Sequence, residues 1–346
     1  MFAEIFELHK DSLKIFDLLC EVDDIDVEPS EKILELEIDN CKLYRYKSRK
    51  RKKIKYPLLI VYALVNKYYM MDIQEDRSFI KKLIDQGLDV YILDWGYPER
   101  ADKYLTMEDH IDGYMNDCVD FLRTKHKVDN INLLGVCQGG TFSVIYSALY
   151  PEKIKNLVTM VTPVDFDTED GLLNVWSKKM DIDEMVDSYG NISGDFMNFG
   201  YLMLKPFQLN VEKYYNFIKQ TKDIKDIKNF MRMEKWIFDS PDQAGETFRK
   251  FLKDLYQENK LVKGVFELGG KKVNLKNIKM PILTVYAEQD HLVPPASTKP
   301  LNELVGSEDK TMISFKGGHI GIYVSSRSQK ELAPSVGKWI AERSGD

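Results

Sequence analysis

The sequence is short of several things, and each shortage narrows the reading. Its four cysteines, Cys20, Cys41, Cys118 and Cys137, are scattered without a CxxC pair, so neither a zinc site nor a disulfide framework is expected, and no other metal is. Basic charge is not in excess: 49 Lys and Arg stand against 55 Asp and Glu, a formal net charge of −6. That balance disfavours nucleic-acid binding, which depends on neutralising phosphates. Long apolar runs are missing. The longest, Leu58 to Val65, falls far below the ~20 residues that cross a bilayer, so no membrane span is expected. The N-terminal Met-Phe-Ala-Glu-Ile-Phe-Glu has neither the basic start nor the apolar stretch of a secretion signal, which makes the cytoplasm, with free thiols, the expected compartment. Internal repeats and low-complexity segments are absent too. With 44% hydrophobic and 30% charged residues, the composition is that of a folded globular chain. The 346 residues allow roughly two domains, or one α/β domain with an insertion.

What is present is a change of period along the chain. Residues 2–20 carry Phe2, Ile5, Phe6, Leu13, Phe16 and Leu19 at helical spacing, which predicts a helix packed on its own domain. Leu34 to Asp39 alternates apolar and acidic residues, and Leu43 to Tyr46 follows as a second strand; the basic run Lys47 to Lys55 reads as a solvated turn. From residue 57 onward, continuous apolar runs alternate with helical stretches. Strands are predicted at Leu58–Tyr62, Asp89–Leu93, Ile131–Val136, Ile154–Val161, Pro281–Tyr286 and Thr311–Phe315. Such runs suit strands buried on both faces, and the alternation predicts a mostly parallel sheet flanked by helices. Between Phe166 and about residue 265 the alternation stops. That stretch is helical in pattern and rich in Met and aromatic residues, among them Met180, Met197, Trp176, Phe196 and Trp236. It predicts a helical insertion, serving as a small core or as an adaptable apolar surface. The organisation expected is an α/β core in two parts, 1–165 and 266–346, interrupted by a helical cap at 166–265.

The chemistry is concentrated in three loops. Strand Ile131–Leu134 runs into Gly135-Val136-Cys137-Gln138-Gly139-Gly140 and then a helix. This is the strand–turn–helix setting of a Gly-x-nucleophile-x-Gly elbow, with Cys where Ser is usual. The flanking glycines let strand and helix approach a sharply bent residue. The turn also places Cys137 at a helix N-terminus, where positive partial charge lowers a thiol pKa from about 8.5. The backbone N–H of Gln138 is the expected first oxyanion donor. Asp290 follows the strand ending at Tyr286, and His319 lies in Lys316-Gly317-Gly318-His319 after the last strand. Nucleophile, acid and base thus occur in the order an α/β-hydrolase fold requires. His319 would take the thiol proton and Asp290 would orient the imidazole. The loop after Leu58–Tyr62 should supply the second oxyanion donor. Val65 is the candidate by position, with Asn66 next, and Tyr68 and Tyr69 are expected to line the entrance. His291 is read as structural, and His9, His110 and His126 as surface residues. A cysteine nucleophile points to acyl transfer from a thioester rather than to hydrolysis, since a thioester on Cys is close in free energy to one on a carrier thiol.

At this point the chain resembles the catalytic subunits of polyhydroxyalkanoate synthases, and those of the two-subunit kind (class III, or class IV) in particular. The resemblance rests on Tyr62-Ala63-Leu64-Val65-Asn66-Lys67-Tyr68-Tyr69-Met70-Met71-Asp72, Leu93-Asp94-Trp95-Gly96, the Cys137 box, Asp290 and Gly317-Gly318-His319, and covers about residue 30 to the end. It implies an (R)-3-hydroxyacyl-CoA that acylates Cys137 with release of CoA, and a growing polyester chain. It implies no cofactor beyond that substrate. It further implies a second subunit of PhaE type (or PhaR type), a homodimer whose surface includes the cap, and association with polyester granules. Under the resemblance Asp290 has two possible roles, orienting His319 or activating the 3-hydroxyl, and Cys118 is a structural second cysteine. The alternatives are a Cys-dependent hydrolase of a small ester, lactone or polyester, and a non-catalytic module on the same fold.

Overall fold

The computed structural model describes residues 2–22, 24–48 and 54–345; the middle of the basic run, 49–53, lies outside them. Its centre is an eight-stranded sheet. The strands are β1 (Lys32–Ile38), β2 (Cys41–Tyr46), β3 (Leu58–Val61), β4 (Val90–Asp94), β5 (Ile131–Val136), β6 (Ile154–Met160), β7 (Ile282–Ala287) and β8 (Lys310–Phe315). They lie in the order β1-β2-β4-β3-β5-β6-β7-β8. β2 is antiparallel to both β1 and β4, and all other neighbours are parallel. Every residue of β3 and β5 is buried, because parallel strands are covered on both faces. The edge strands β1 and β8 expose part of their length. The expected strands are therefore all present, in an α/β fold with a mostly parallel sheet.

α1 (Phe2–Cys20) precedes the first strand, and α2 (Phe79–Asp85), α3 (Asn116–His126) and α4 (Gln138–Leu149) pack against the sheet. Between β6 and β7 come α5 (Leu172–Ser177), α6 (Ile182–Tyr189), α7 (Gly194–Met203), α8 (Lys213–Gln220), α9 (Ile224–Phe238) and α10 (Gly245–Lys250). The chain closes with α11 (Ala333–Arg343). α1 packs on α8 and α9. Lys14 Nζ donates to Lys222 O at 3.0 Å, and Lys219 pairs with Asp11 at 3.3 Å. Ile15 is buried there, while Leu13 and Phe16 face outward.

Two expectations fail. His110 is buried rather than exposed, with Nδ1 2.8 Å from Thr106 O and its ring among Trp95, Tyr114 and Phe142. The polar residues around it in sequence face outward while the imidazole turns in. His126 is half-buried and lies 2.8 Å from the Tyr91 hydroxyl. Of the three, His9 alone is exposed.

The layer that positions chemistry is the contact of α4 with the sheet. A Cβ on Gly139 would stand 2.4 Å from the carbonyl oxygens of Val61 and Tyr62, and one on Gly140 1.9 Å from Thr162 Oγ1. The first clash is with backbone, which cannot swing aside. Gly139→Ala is expected to lower unfolding free energy by about 1–3 kcal/mol or more, measured by urea denaturation; a midpoint equal to the parent's would contradict this close approach.

Candidate active site

Cys137 is the N-cap of α4, with φ 52° and ψ −123°. Its N–H donates to Met160 O at 2.9 Å, and its carbonyl accepts from Gly140 N at 2.9 Å and Thr141 N at 3.2 Å. A non-glycine residue in such a conformation costs about 1–3 kcal/mol and persists only when its surroundings dictate it. The side chain is partly exposed, whereas Cys41 and Cys118 are buried beside one another and Cys20 lies on the surface.

The structure brings Asp290 and His319 to this thiol. Asp290 follows β7 and is buried; its Oδ1 accepts from the N–H groups of Leu292 and Val293, both at 2.9 Å. Its Oδ2 lies 2.7 Å from His319 Nδ1. Burial by itself would lower the His319 pKa, but the Asp290 carboxylate and the Cys137 sulfur outweigh it and raise the imidazole to about 10. The array therefore favours an imidazolium at neutral pH, flanked by a carboxylate and the cysteine sulfur. His291, next in sequence to Asp290, takes neither carboxylate oxygen. Its own pKa is lowered by burial and by the Lys205 cation.

The two candidate oxyanion donors occupy the same end of the sheet. Gln138 opens α4, so its N–H has no acceptor within the helix. Val65 lies in the loop after β3 and is partly exposed. Sequence reasoning missed the tie between them: the Gln138 side chain accepts from Leu64 N at 3.1 Å through Oε1. Tyr68 and Tyr69 do not line an entrance. Both are buried, and their hydroxyls bond Lys32 and Asp239 respectively. Their rings are consumed in fixing the loop. Also missed was Lys67, which forms a buried ion pair with Asp94 at 2.5 Å. The reach of Asp94 across the sheet edge is not written in local spacing. Among the described residues, no cluster of three or more His, Cys, Asp or Glu is arranged to hold a metal ion.

A strained cysteine at a strand–helix turn, with an aspartate and a histidine in the loops after the last two strands, is the arrangement of an α/β hydrolase, and residues 56–326 match the alpha/beta hydrolase fold family. Solved structures agree on the fold. A monoacylglycerol lipase from Paleococcus ferrophilus superposes with a TM-score of 0.55 at 16% identity, covering 87% of this chain and 99% of that one. A putative lipase from Acinetobacter baumannii gives 0.54 at 14% identity, covering 93% and 98%.

Sequence relatives narrow the class. The poly(3-hydroxyalkanoate) polymerase subunit PhaC of Thiocystis violacea is 54% identical over 327 residues, 94% of this chain and 92% of that one. The protein of the same name from Allochromatium vinosum is 58% identical over 287 residues, 83% and 81% of the two chains. That of Synechocystis is 50% identical over 328 residues, 93% and 87%. The chain belongs to the PhaC family of poly(3-hydroxyalkanoate) polymerase subunits.

Because the folded pKa of His319 stands above its unfolded value near 6.5, its contribution to stability is complete below about pH 6.5 and is lost as pH rises towards about 10. The stability difference between the parent and His319→Gln should therefore shrink from about pH 6.5 to pH 10 in urea unfolding. A difference that grows over that window would contradict the charged pair.

Proposed function

We propose that this chain is the catalytic subunit of a polyhydroxyalkanoate synthase, polymerising (R)-3-hydroxyacyl-CoA through an acyl thioester on Cys137. The observation that carries the reading is a cysteine at the elbow, paired with His319 and Asp290, in a chain more than half identical to two PhaC polymerase subunits. In this reading the Cys137 thiolate attacks the substrate's thioester carbonyl. The oxyanion that forms is held by the N–H groups of Gln138 and Val65. The C–S bond to CoA breaks, and His319 gives the leaving sulfur its proton. The new thioester is near in energy to the one consumed, so the acyl group remains transferable. A 3-hydroxyl then attacks a thioester carbonyl and His319 takes its proton; the C–S bond breaks, the sulfur departs as a thiolate beside the protonated His319, and an ester bond replaces the thioester.

Asp290 in this mechanism acts through His319. Its Oδ2 is engaged by the imidazole and its Oδ1 by two amides, which leaves the proton traffic to Nε2. The helices at 172–257 form the cap. Tyr201 and Tyr256 lie within electrostatic reach of Cys137, and burial with that neighbour raises both phenol pKa values. The relatives are named as subunits, which supports a second polypeptide, and the partner taken for this reading is of PhaE type, with PhaR type as the alternative. Exposed Phe196, Phe199 and Phe207 on the cap support a homodimer and contact with the granule surface. Among the described residues no helix is long and apolar enough to cross a membrane.

The test is release of CoA from 3-hydroxybutyryl-CoA, with polymer recovered, in the presence of a PhaE-type subunit. Cys137→Ala is expected to lower the rate by about a thousandfold or more, the scale seen when a nucleophile is removed. Normal turnover by that variant sinks the mechanism. Free 3-hydroxybutyrate as the main product, with no chain growth, gives the answer to a hydrolase instead.

A further inference from the structure

The loop that carries Val65 is held from outside the sheet. The end of α9 and the residues after it grip it at three points and hold the neighbouring loop after β4 at a fourth. Trp236 Nε1 donates to Lys67 O at 2.7 Å, and Asn66 Nδ2 donates to Ser240 Oγ at 2.5 Å. The hydroxyls of Tyr69 and Tyr97 donate to the two oxygens of Asp239, at 2.8 and 2.6 Å. Asp239 therefore ties the loop after β3 to the loop after β4, and both to the helical segment. Lys67, between the gripped residues, is paired with Asp94 at the end of β4 and lies 4.3 Å from the centre of the Tyr97 ring. Ser240 is in turn bonded to Asn198 on α7, at 3.1 Å. A small cleft lined by Ala63, Leu64, Asn66, Lys67, Trp95 and Pro241 runs alongside the loop.

We propose that Asp239 and Trp236 are positioning residues that set the Val65 N–H, so that the oxyanion site is complete only while the end of α9 is docked on the loop. The inference rests on the reading of Val65 as an oxyanion donor. Its physical basis is that a donor is effective only at a fixed position relative to the developing charge, and a displacement of about 1 Å costs on the order of a hundredfold. The helical segment and the oxyanion loop thus form one unit. Movement of the segment away from the sheet withdraws a donor as well as opening the site. Buried Tyr69 is the inner arm of the grip and half-exposed Tyr97 the outer one.

The experiment compares two reactions of the same thiol in the full-length chain. Acylation of Cys137 by 3-hydroxybutyryl-CoA needs the oxyanion donors. Alkylation by iodoacetamide builds up no oxyanion and needs only the thiolate. Asp239→Ala is expected to slow acylation about ten- to a hundredfold while alkylation changes by less than about twofold. Asp239→Asn, which can accept from one hydroxyl and not from both, should fall between. Adding Tyr69→Phe to Asp239→Ala should cost little more, since the partner is already gone. Unchanged acylation in Asp239→Ala overturns the proposal. So does a fall of both rates together, which places Asp239 behind the triad or the fold instead. A parent protein that hydrolyses the thioester without polymerising overturns the functional reading but not this one, because hydrolysis through Cys137 requires the same donors.

Discussion

At φ 52° and ψ −123°, Cys137 holds a backbone conformation that L-residues avoid, and most of the surrounding structure exists to keep it there. The residue is hydrogen-bonded to Met160 at the end of β6 on one side and to the first turn of α4 on the other. Glycine is required at 135, 139 and 140 because a Cβ at any of them would press on Ser143, on the end of β3 or on Thr162. Those contacts bring α4 close enough to the sheet for the elbow to form. With the turn fixed, Cys137 caps α4 and Gln138 is the first residue of that helix. The remaining site residues are loops that reach this point from strands on either side.

Charge balance is the second constraint. A buried imidazolium is costly unless it is paired, and His319 is paired with Asp290, whose other oxygen is held by two amides. The carboxylate thus has fixed partners before substrate arrives, and it holds the imidazole with its second nitrogen towards the thiol. This arrangement suits a proton that must pass in both directions, to departing CoA and from an incoming hydroxyl. On the opposite side of the site the Lys67–Asp94 pair and the Asp239 bridge do for the loop after β3 what Asp290 does for His319.

Much of this could be read from sequence because it is local. Cys137 and Asp290 each follow a buried strand and His319 follows the edge strand β8, and an apolar run ended by a glycine or an acid marks such a place. The strands were legible for the same reason. Contacts between distant segments were not. Tyr68 and Tyr69 look like entrance aromatics in sequence, and only the fold shows their hydroxyls spent on Lys32 and Asp239. His110 sits among polar neighbours yet turns into an aromatic cluster, because helical periodicity decides its direction and its neighbours do not. The bond from Leu64 to Gln138 spans 74 positions, and no spacing rule reaches that far.

In the proposed mechanism the acyl group is carried on one sulfur as a thioester. The most direct measurement is the mass of the cysteine-bearing peptides after brief exposure of the protein to 3-hydroxybutyryl-CoA and acid quench. The expected result is a 3-hydroxybutyryl adduct, or short oligomers of it, on the Cys137 peptide alone, removed by neutral hydroxylamine as a thioester is. An adduct that resists hydroxylamine, or one on Cys20, Cys41 or Cys118 with Cys137 unmodified, would contradict it.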